Sequence, residues 1–130
     1  MASMIFAVAV AWICAQVVLK PLIESFKRGR FVPESIWQRG GMPSGHSALV
    51  GALCAAIAKV DGLQSPLFVI SLVFSLLVLY DALVTRRILT RQADILQTLT
   101  KKNVDRIFGH EPVEVFAGVL LGVLIAWYLI

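Results

Sequence analysis

The stretch PLFVISLVFSLLVLYDAL, from Pro66 to Leu83, is apolar almost throughout and carries one charged residue, Asp81, near its end. Its length approaches the roughly 20 residues that an α-helix needs to cross a bilayer. Because the bilayer interior cannot hydrogen-bond a bare backbone, such a stretch is expected to be helical. Three further stretches have the same character: Met1 to Leu19, Ser44 to Val60 and Pro112 to Ile130. The sequence therefore predicts four transmembrane helices.

The composition agrees with a membrane protein. The 130 residues are 58% hydrophobic and only 15% charged, which excludes an ordinary soluble domain. We predict an all-α fold, an integral membrane bundle that forms one domain over residues 1–130, and we expect no nucleic-acid partner. Cys14 and Cys54 fall inside apolar helices without a zinc-type spacing, so we interpret them as packing residues.

The first stretch is expected to remain as a helix. It lacks a basic region at its start, and Lys20-Pro21-Leu22 does not resemble a signal-peptide cleavage site.

The distribution of charged residues indicates on which face of the bilayer each connection between helices lies. Alternating helices bring the chain near Lys20, Ser44, Asp81 and His110 to one face of the bilayer. All Lys and Arg residues except Lys59 lie in the two long connections on that face. Basic residues favour the cytoplasmic side, so we predict a multi-pass protein of the inner or plasma membrane whose active face is cytoplasmic.

Each long connection also contains an amphipathic pattern. Apolar and basic residues alternate with rough helical spacing between Leu22 and Phe31 and between Ile88 and Val104. Short helices at the membrane interface fit this pattern, and a solvated loop is the alternative. Basic residues there would contact the headgroups of membrane lipids.

Residues that could bind an anion or take part in a reaction lie at the starts of two predicted helices. Ser44 is a candidate N-cap, and Gly45 allows close backbone approach, so the free N–H groups there favour an anion. His46 follows in the first turn. At the other helix, Glu114 follows His110 by four residues, so that its carboxylate lies on the same helical face and can orient the imidazole.

Cations are expected at the ends of the other two helices. Lys20 closes the first helix, and Arg86 and Arg87 close the third, where positive charge complements the helix dipole. Together, the four helix ends could form a phosphate-sized pocket.

These residues resemble the type 2 phosphatidic acid phosphatase superfamily. Pro43-Ser44-Gly45-His46 matches its second signature, and the segment from Gly109 to Glu114 looks like its third. The similarity is greatest to the divergent, small branch, through the motifs Gln16 with Lys20, Gly40 to Ser44, Asp81-Ala82 with Arg86-Arg87, and Gly109 to Val115.

The resemblance implies a division of roles. His110 would attack phosphorus and form a phosphohistidine, Glu114 would orient it, and His46 would protonate the leaving oxygen. The phosphate oxygens would be held by a set of cations and backbone groups: Lys20, Ser44, Gly45, Arg86 and Arg87.

The sequence departs from the larger superfamily at two arginines. Six residues separate Lys20 from Lys27, and Arg28 stands one place further, so which of them takes the role of the first-signature arginine stays open. The third signature lacks its upstream arginine, and we assign that role to Arg86 or Arg87. Gln16 is a further supporting residue.

Asp81 has three interpretations. It could pair with Lys20, orient Arg87 or bind a divalent cation, and pairing is preferred because the superfamily chemistry is generally metal-independent. No cofactor and no dedicated metal site are expected.

The predicted function is hydrolysis of a lipid phosphomonoester, of the phosphatidylglycerophosphate or phosphatidic acid type, through a phosphohistidine. The alternatives are a polyprenyl diphosphate phosphatase and a non-catalytic binder or transporter of phosphate or lipid phosphate. A transporter needs access from both faces, whereas the opposite face offers only Lys59 and Asp61 as charged residues. Four helices form a thin bundle, so a homodimer is also considered.

Overall fold

The computed structural model describes residues 1–36, 41–101 and 111–130, and this part of the chain is helical without strands. The predicted all-α class is therefore confirmed. The six α-helices of the described residues are α1 (Ala2–Ile13), α2 (Lys20–Arg28), α3 (Gly45–Asp61), α4 (Pro66–Tyr80), α5 (Arg86–Thr100) and α6 (Pro112–Leu129). The described residues also form two π-helical segments, Cys14–Leu19 and Asp81–Thr85, and a short 3₁₀ turn, Pro33–Ile36.

Among the described residues, three continuous helices are long and apolar enough to cross a membrane. They are Ala2–Arg28, Pro66–Thr100 and Pro112–Leu129. The remaining predicted span corresponds to α3, which has 17 residues and ends with Lys59 and Asp61 in its last turn. The number of four transmembrane helices thus stays a prediction.

The predicted amphipathic helices are present, but they continue the spans instead of forming separate elements. The first π segment joins α1 to α2, and the second joins α4 to α5. Pro21 lies in the first turn of α2 and has no N–H to donate, so a change in the hydrogen-bond ladder just before it is expected. The end of the second predicted helix, at Val104, lies outside the described residues.

Small residues bring α3 and α6 into backbone contact. A side chain on Gly118 would collide with the carbonyl oxygen of Ser44, and one on Gly122 would collide with the carbonyl oxygen of Ala48. Gly51 faces the backbone of Val119 in the same way. Glycines and alanines allow such close approach where lipid provides no hydrophobic force between helices. The contacts show that α3 and α6 run parallel, with their N-termini at the same end.

Polar side chains connect α3 to α4. The Sγ atom of Cys54 lies 3.1 Å from the Oγ atom of Ser75, and the Ser75 hydroxyl donates to the carbonyl of Ser71 at 2.7 Å. The predicted packing role of this cysteine agrees with these contacts. Cys54 Sγ also lies 3.6 Å from the hydroxyl of Ser71, while Ser75 lies 3.4 Å from the carbonyl of Val50, so the two helices are antiparallel. Continuing this register places Asp81 at the level of Ser44.

The opposite end of the bundle is closed by Lys59. Its ammonium donates to the carbonyl of Trp127 at 2.6 Å and lies 5.1 Å from the centre of the Trp127 ring. A cation at this position complements the C-terminal dipole of α6.

Candidate functional site

The N-termini of α3 and α6 are joined directly. The backbone N–H of Ser44 donates to the carbonyl of Glu114 at 3.1 Å. The Ser44 hydroxyl accepts from the backbone N–H of Ser47 at 3.4 Å and from its hydroxyl at 2.9 Å. Ser44 is fully buried. The predicted N-cap is therefore present, and the same residue fixes the relative position of the two helix starts.

The start of α6 has its own cap. The carboxylate of Glu114 accepts from the backbone N–H of Glu111 at 3.1 Å, and the Glu111 side chain accepts from the backbone N–H of Glu114. This reciprocal arrangement satisfies two N–H groups that a helix start leaves open. The sequence indicates this capping box through the acidic residues at the cap and three places later, Glu111 and Glu114.

Lys20 is the buried cation of this end of the bundle. It is only 3% exposed and interacts electrostatically with Glu114 of α6 and with Glu24 one turn further along α2. A side chain on Gly41 would lie 3.4 Å from Lys20 Cε and 3.6 Å from Glu24 Oε1. A buried ammonium needs such compensating groups, because an isolated charge is costly away from water.

Glu24 was absent from the predicted site. Its position four residues after Lys20 places both on one helical face, which is the signal that could have identified it.

Gln16 packs beside Lys20 against the start of α3. Its side-chain amide donates to the carbonyl of Ile36 at 2.5 Å. A Cβ atom on Gly45 would lie 2.5 Å from Gln16 Oε1 and 3.3 Å from Gln16 Cβ, so the glycine allows the first π segment to pack closely against the start of α3.

Asp81 pairs with Arg86. The Arg86 Nε atom lies 3.0 Å from Asp81 Oδ2, with the two side chains 20% and 47% exposed. The spacing of five residues matches the hydrogen-bond period of the π segment that contains Asp81. Of the three interpretations of Asp81, the structure shows pairing, but the partner is Arg86 and not Lys20. The segment Asp81–Thr85 contacts α6.

Four other predicted residues are at the surface. His46, Arg87, Lys27 and Arg28 are exposed, and Arg28 pairs with Glu24 at 3.3 Å. His110 lies outside the described residues, so its predicted contact with Glu114 and its distance from His46 stay predictions.

The described residues contain no cluster of three or more histidine, cysteine or acidic side chains that could hold a metal ion. The site of the described chain therefore consists of two joined helix starts, a buried lysine with two glutamates, and the Asp81–Arg86 pair at the same level.

Comparison with known proteins identifies relatives of the chain. A curated relative, "Uncharacterized membrane protein YuiD" of Bacillus subtilis (strain 168), is 35% identical, and the match covers 66% of this chain and 68% of the relative. No solved structure matches the chain significantly. The family model described as "Divergent PAP2 family" matches residues 1–125, nearly the whole sequence. The chain is a membrane protein and belongs to the divergent PAP2 family.

Proposed function

We propose that this protein is an integral-membrane phosphatase that hydrolyses a lipid phosphomonoester, of the phosphatidylglycerophosphate or phosphatidic acid type. The observation that carries the proposal is the junction of α3 and α6 beside the buried Lys20. Two helix N-termini and a cation at one end of an apolar bundle favour an anion at the membrane surface. Membership of the divergent PAP2 family also supports a phosphatase.

In the proposed reaction, a nitrogen of the His110 imidazole attacks phosphorus while the bond from phosphorus to the lipid oxygen breaks. His46, exposed in the first turn of α3, donates a proton to that oxygen. Water then attacks the phosphohistidine and releases phosphate, with His46 accepting the water proton. Glu114 lies at the start of α6, four residues after the nucleophile, and would stabilise its charged form.

The phosphate oxygens would be held by Lys20 and by the backbone around Gly45. Ser44 is already engaged with Glu114 and with its own helix, so its main contribution is to position the neighbouring N–H groups. Arg86 or Arg87 supplies a further cation, and Asp81 fixes the guanidinium of Arg86. Fixed donors of this kind stabilise the charge that develops in phosphoryl transfer.

The distribution of basic residues supports a cytoplasmic active face in the inner or plasma membrane. The substrate would enter from the lipid phase, with its headgroup at the interface, and no cofactor is assigned. A homodimer remains part of the proposal, because large apolar side chains of all described spans are exposed in the single chain.

The decisive test is phosphate release by the purified protein from phosphatidylglycerophosphate, phosphatidic acid and polyprenyl diphosphate, with and without chelator. We expect turnover of the first two, inhibition by vanadate and a loss of at least about a hundredfold in His110→Ala. Normal turnover in His110→Ala would refute the nucleophile, and lipid-phosphate binding without any turnover would indicate the non-catalytic alternative.

A matched pair of variants tests whether the Lys20 ammonium binds the substrate phosphate. Lys20→Met removes the buried ammonium of the site, whereas Lys59→Met makes the same change at the opposite end of the bundle. We expect the first to abolish most phosphate release and the second to leave it unchanged. Equal activity in the two variants would exclude Lys20 from phosphate binding.

A further inference from the structure

An apolar groove of about 450 Å³ runs between α1 and α3. Met4, Val8 and Trp12 line it from α1, and Leu49 and Leu53 line it from α3. Ala9 leaves space between the larger side chains of α1. The volume lies within the roughly 300–1,000 Å³ that is typical of ligand sites. The lining residues named here offer no polar side chain except the indole N–H of Trp12.

The groove lies on the same face of α3 as His46 of the proposed active site. Leu49 and Leu53 follow His46 by three and seven residues, so all three lie on one face of α3. With a rise of about 1.5 Å per residue, Leu49 is about 5 Å from His46 along the helix axis. A molecule with its charged group at His46 would therefore have its apolar part at the mouth of the groove.

The dimensions of the groove match a hydrocarbon chain. Its wall on α1 extends from Trp12 to Met1, which corresponds to about 16 Å of helix. This length is about half of the roughly 30 Å hydrocarbon core of a bilayer, the depth that one leaflet provides.

We propose that this groove holds one acyl chain of the substrate, so that the enzyme selects long-chain lipid phosphates over short-chain ones. The inference rests on the proposed function for the identity of the headgroup. It is supported by the position of Leu49 and Leu53 on the same face of α3 as His46 and by the apolar lining of the groove. An amphiphile with an anionic head would meet Lys20 and the helix N-termini, while its chain meets only hydrocarbon.

The acyl chain would gain affinity from its close fit to the shape of the groove. The surrounding lipid is as apolar as the groove, so the chain gains packing contacts and a fixed orientation and little hydrophobic free energy. Individual carbon–carbon contacts are weak, but losing about ten of them corresponds to roughly a tenfold change in affinity. Filling the groove with a large side chain should therefore have a measurable effect.

A second apolar groove provides the control. It lies between α1 and α6, has a volume of about 270 Å³ and is lined by Val10 and Leu124 among others. Leu124 stands ten residues after Glu114, about 15 Å further along α6. A leucine-to-tryptophan change at Leu53 fills the proposed chain site, and the same change at Leu124 fills the other groove.

The first experiment compares kcat/KM for dipalmitoyl and dihexanoyl phosphatidic acid in mixed micelles. In the wild type we expect a preference for the longer chains. Leu53→Trp should lower the ratio of the two values by about tenfold, and Leu124→Trp should leave the ratio unchanged. An unchanged ratio in Leu53→Trp, or the same fall in both variants, overturns the proposal.

The second experiment does not require turnover. A phosphatidic acid with a diazirine near the end of one acyl chain is photolysed in the bound state, and the labelled residues are mapped by mass spectrometry. We expect labels on α1 and α3 around Val8 and Leu53, competed by unlabelled phosphatidic acid but not by diacylglycerol. Labels spread over the lipid-facing side of α4, without such competition, contradict a chain site.

The two experiments separate this inference from the phosphatase proposal. Competed labelling of the groove in a protein that releases no phosphate would retain the chain site and refute the enzyme. Turnover that is indifferent to chain length and to Leu53→Trp would retain the enzyme and refute the chain site.

Discussion

Replacement of Gly118 by alanine tests the junction on which the site depends. An added Cβ would collide with the carbonyl oxygen of Ser44 and would lie 2.9 Å from the Cβ atom of Ser47. Neither contact is with a flexible side-chain end, so α3 and α6 must separate. Such overpacking costs about 1–3 kcal/mol, and weakening the hydrogen bond from Ser44 to Glu114 costs about 1 kcal/mol more.

Helix propensity acts in the opposite direction. Alanine is about 1 kcal/mol more favourable than glycine inside a helix, so the net expectation is a destabilisation of about 1–3 kcal/mol. The free energy of unfolding would be measured by titration with SDS in mixed micelles, followed by circular dichroism. Leu120→Ala, at an exposed position of the same helix, is the control and should retain nearly the wild-type stability.

The sign of the change in the free energy of unfolding tests the close contact of α3 with α6. If Gly118→Ala is as stable as the wild type or more stable, helix propensity alone governs the position and the close contact of α3 with α6 is wrong. Phosphate release should fall together with stability, because the N–H groups beside Ser44 move with the start of α3.

Three further changes give distinct results. Ser44→Ala removes the N-cap of α3 and a partner of the buried Ser47 hydroxyl, and should lower the free energy of unfolding in SDS by about 1 kcal/mol or more. Asp81→Asn removes the ion pair with Arg86, and because this pair is partly exposed, stability should change by less than about 1 kcal/mol. KM for the lipid phosphate should rise, and an unchanged KM would exclude a contribution of the Asp81–Arg86 pairing to substrate binding. Lys59→Met removes a hydrogen bond at the far end of α6 and should cost about 0.5–1.5 kcal/mol in the same titration, with chain-length preference unchanged.

Hydropathy and helix-start signals in the sequence were sufficient to predict the main features of the helical architecture. The apolar stretches, the cap at Ser44 and the gathering of Lys20, Ser44 and Glu114 at one end follow from residue type and from alternation of helices across a bilayer. Family motifs added the assignment of His46 and His110 as reacting groups, which no periodicity could supply.

Other features depend on tertiary contacts that a single sequence does not encode visibly. Apolar periodicity cannot distinguish a helix that continues through a π segment from one that stops, so the amphipathic helices were expected to be separate. Arg86 was not among the predicted partners of Asp81, because a spacing of five residues indicates no contact in an α-helix and becomes favourable only in the π segment. Gly41 enters the site only through the fold, beside Lys20 and Glu24.

The two π segments set the rotation of everything that follows them. Each π turn, closed by a hydrogen bond between residues i and i+5, holds one residue more than an α turn. Because one residue turns an α-helix by about 100°, a regular α-helix of the same length would turn Lys20 away from its buried position and would redirect Arg86 and the whole of α5. Segment length, and not only residue identity, is therefore a constraint that any redesign or shortening of this bundle must respect.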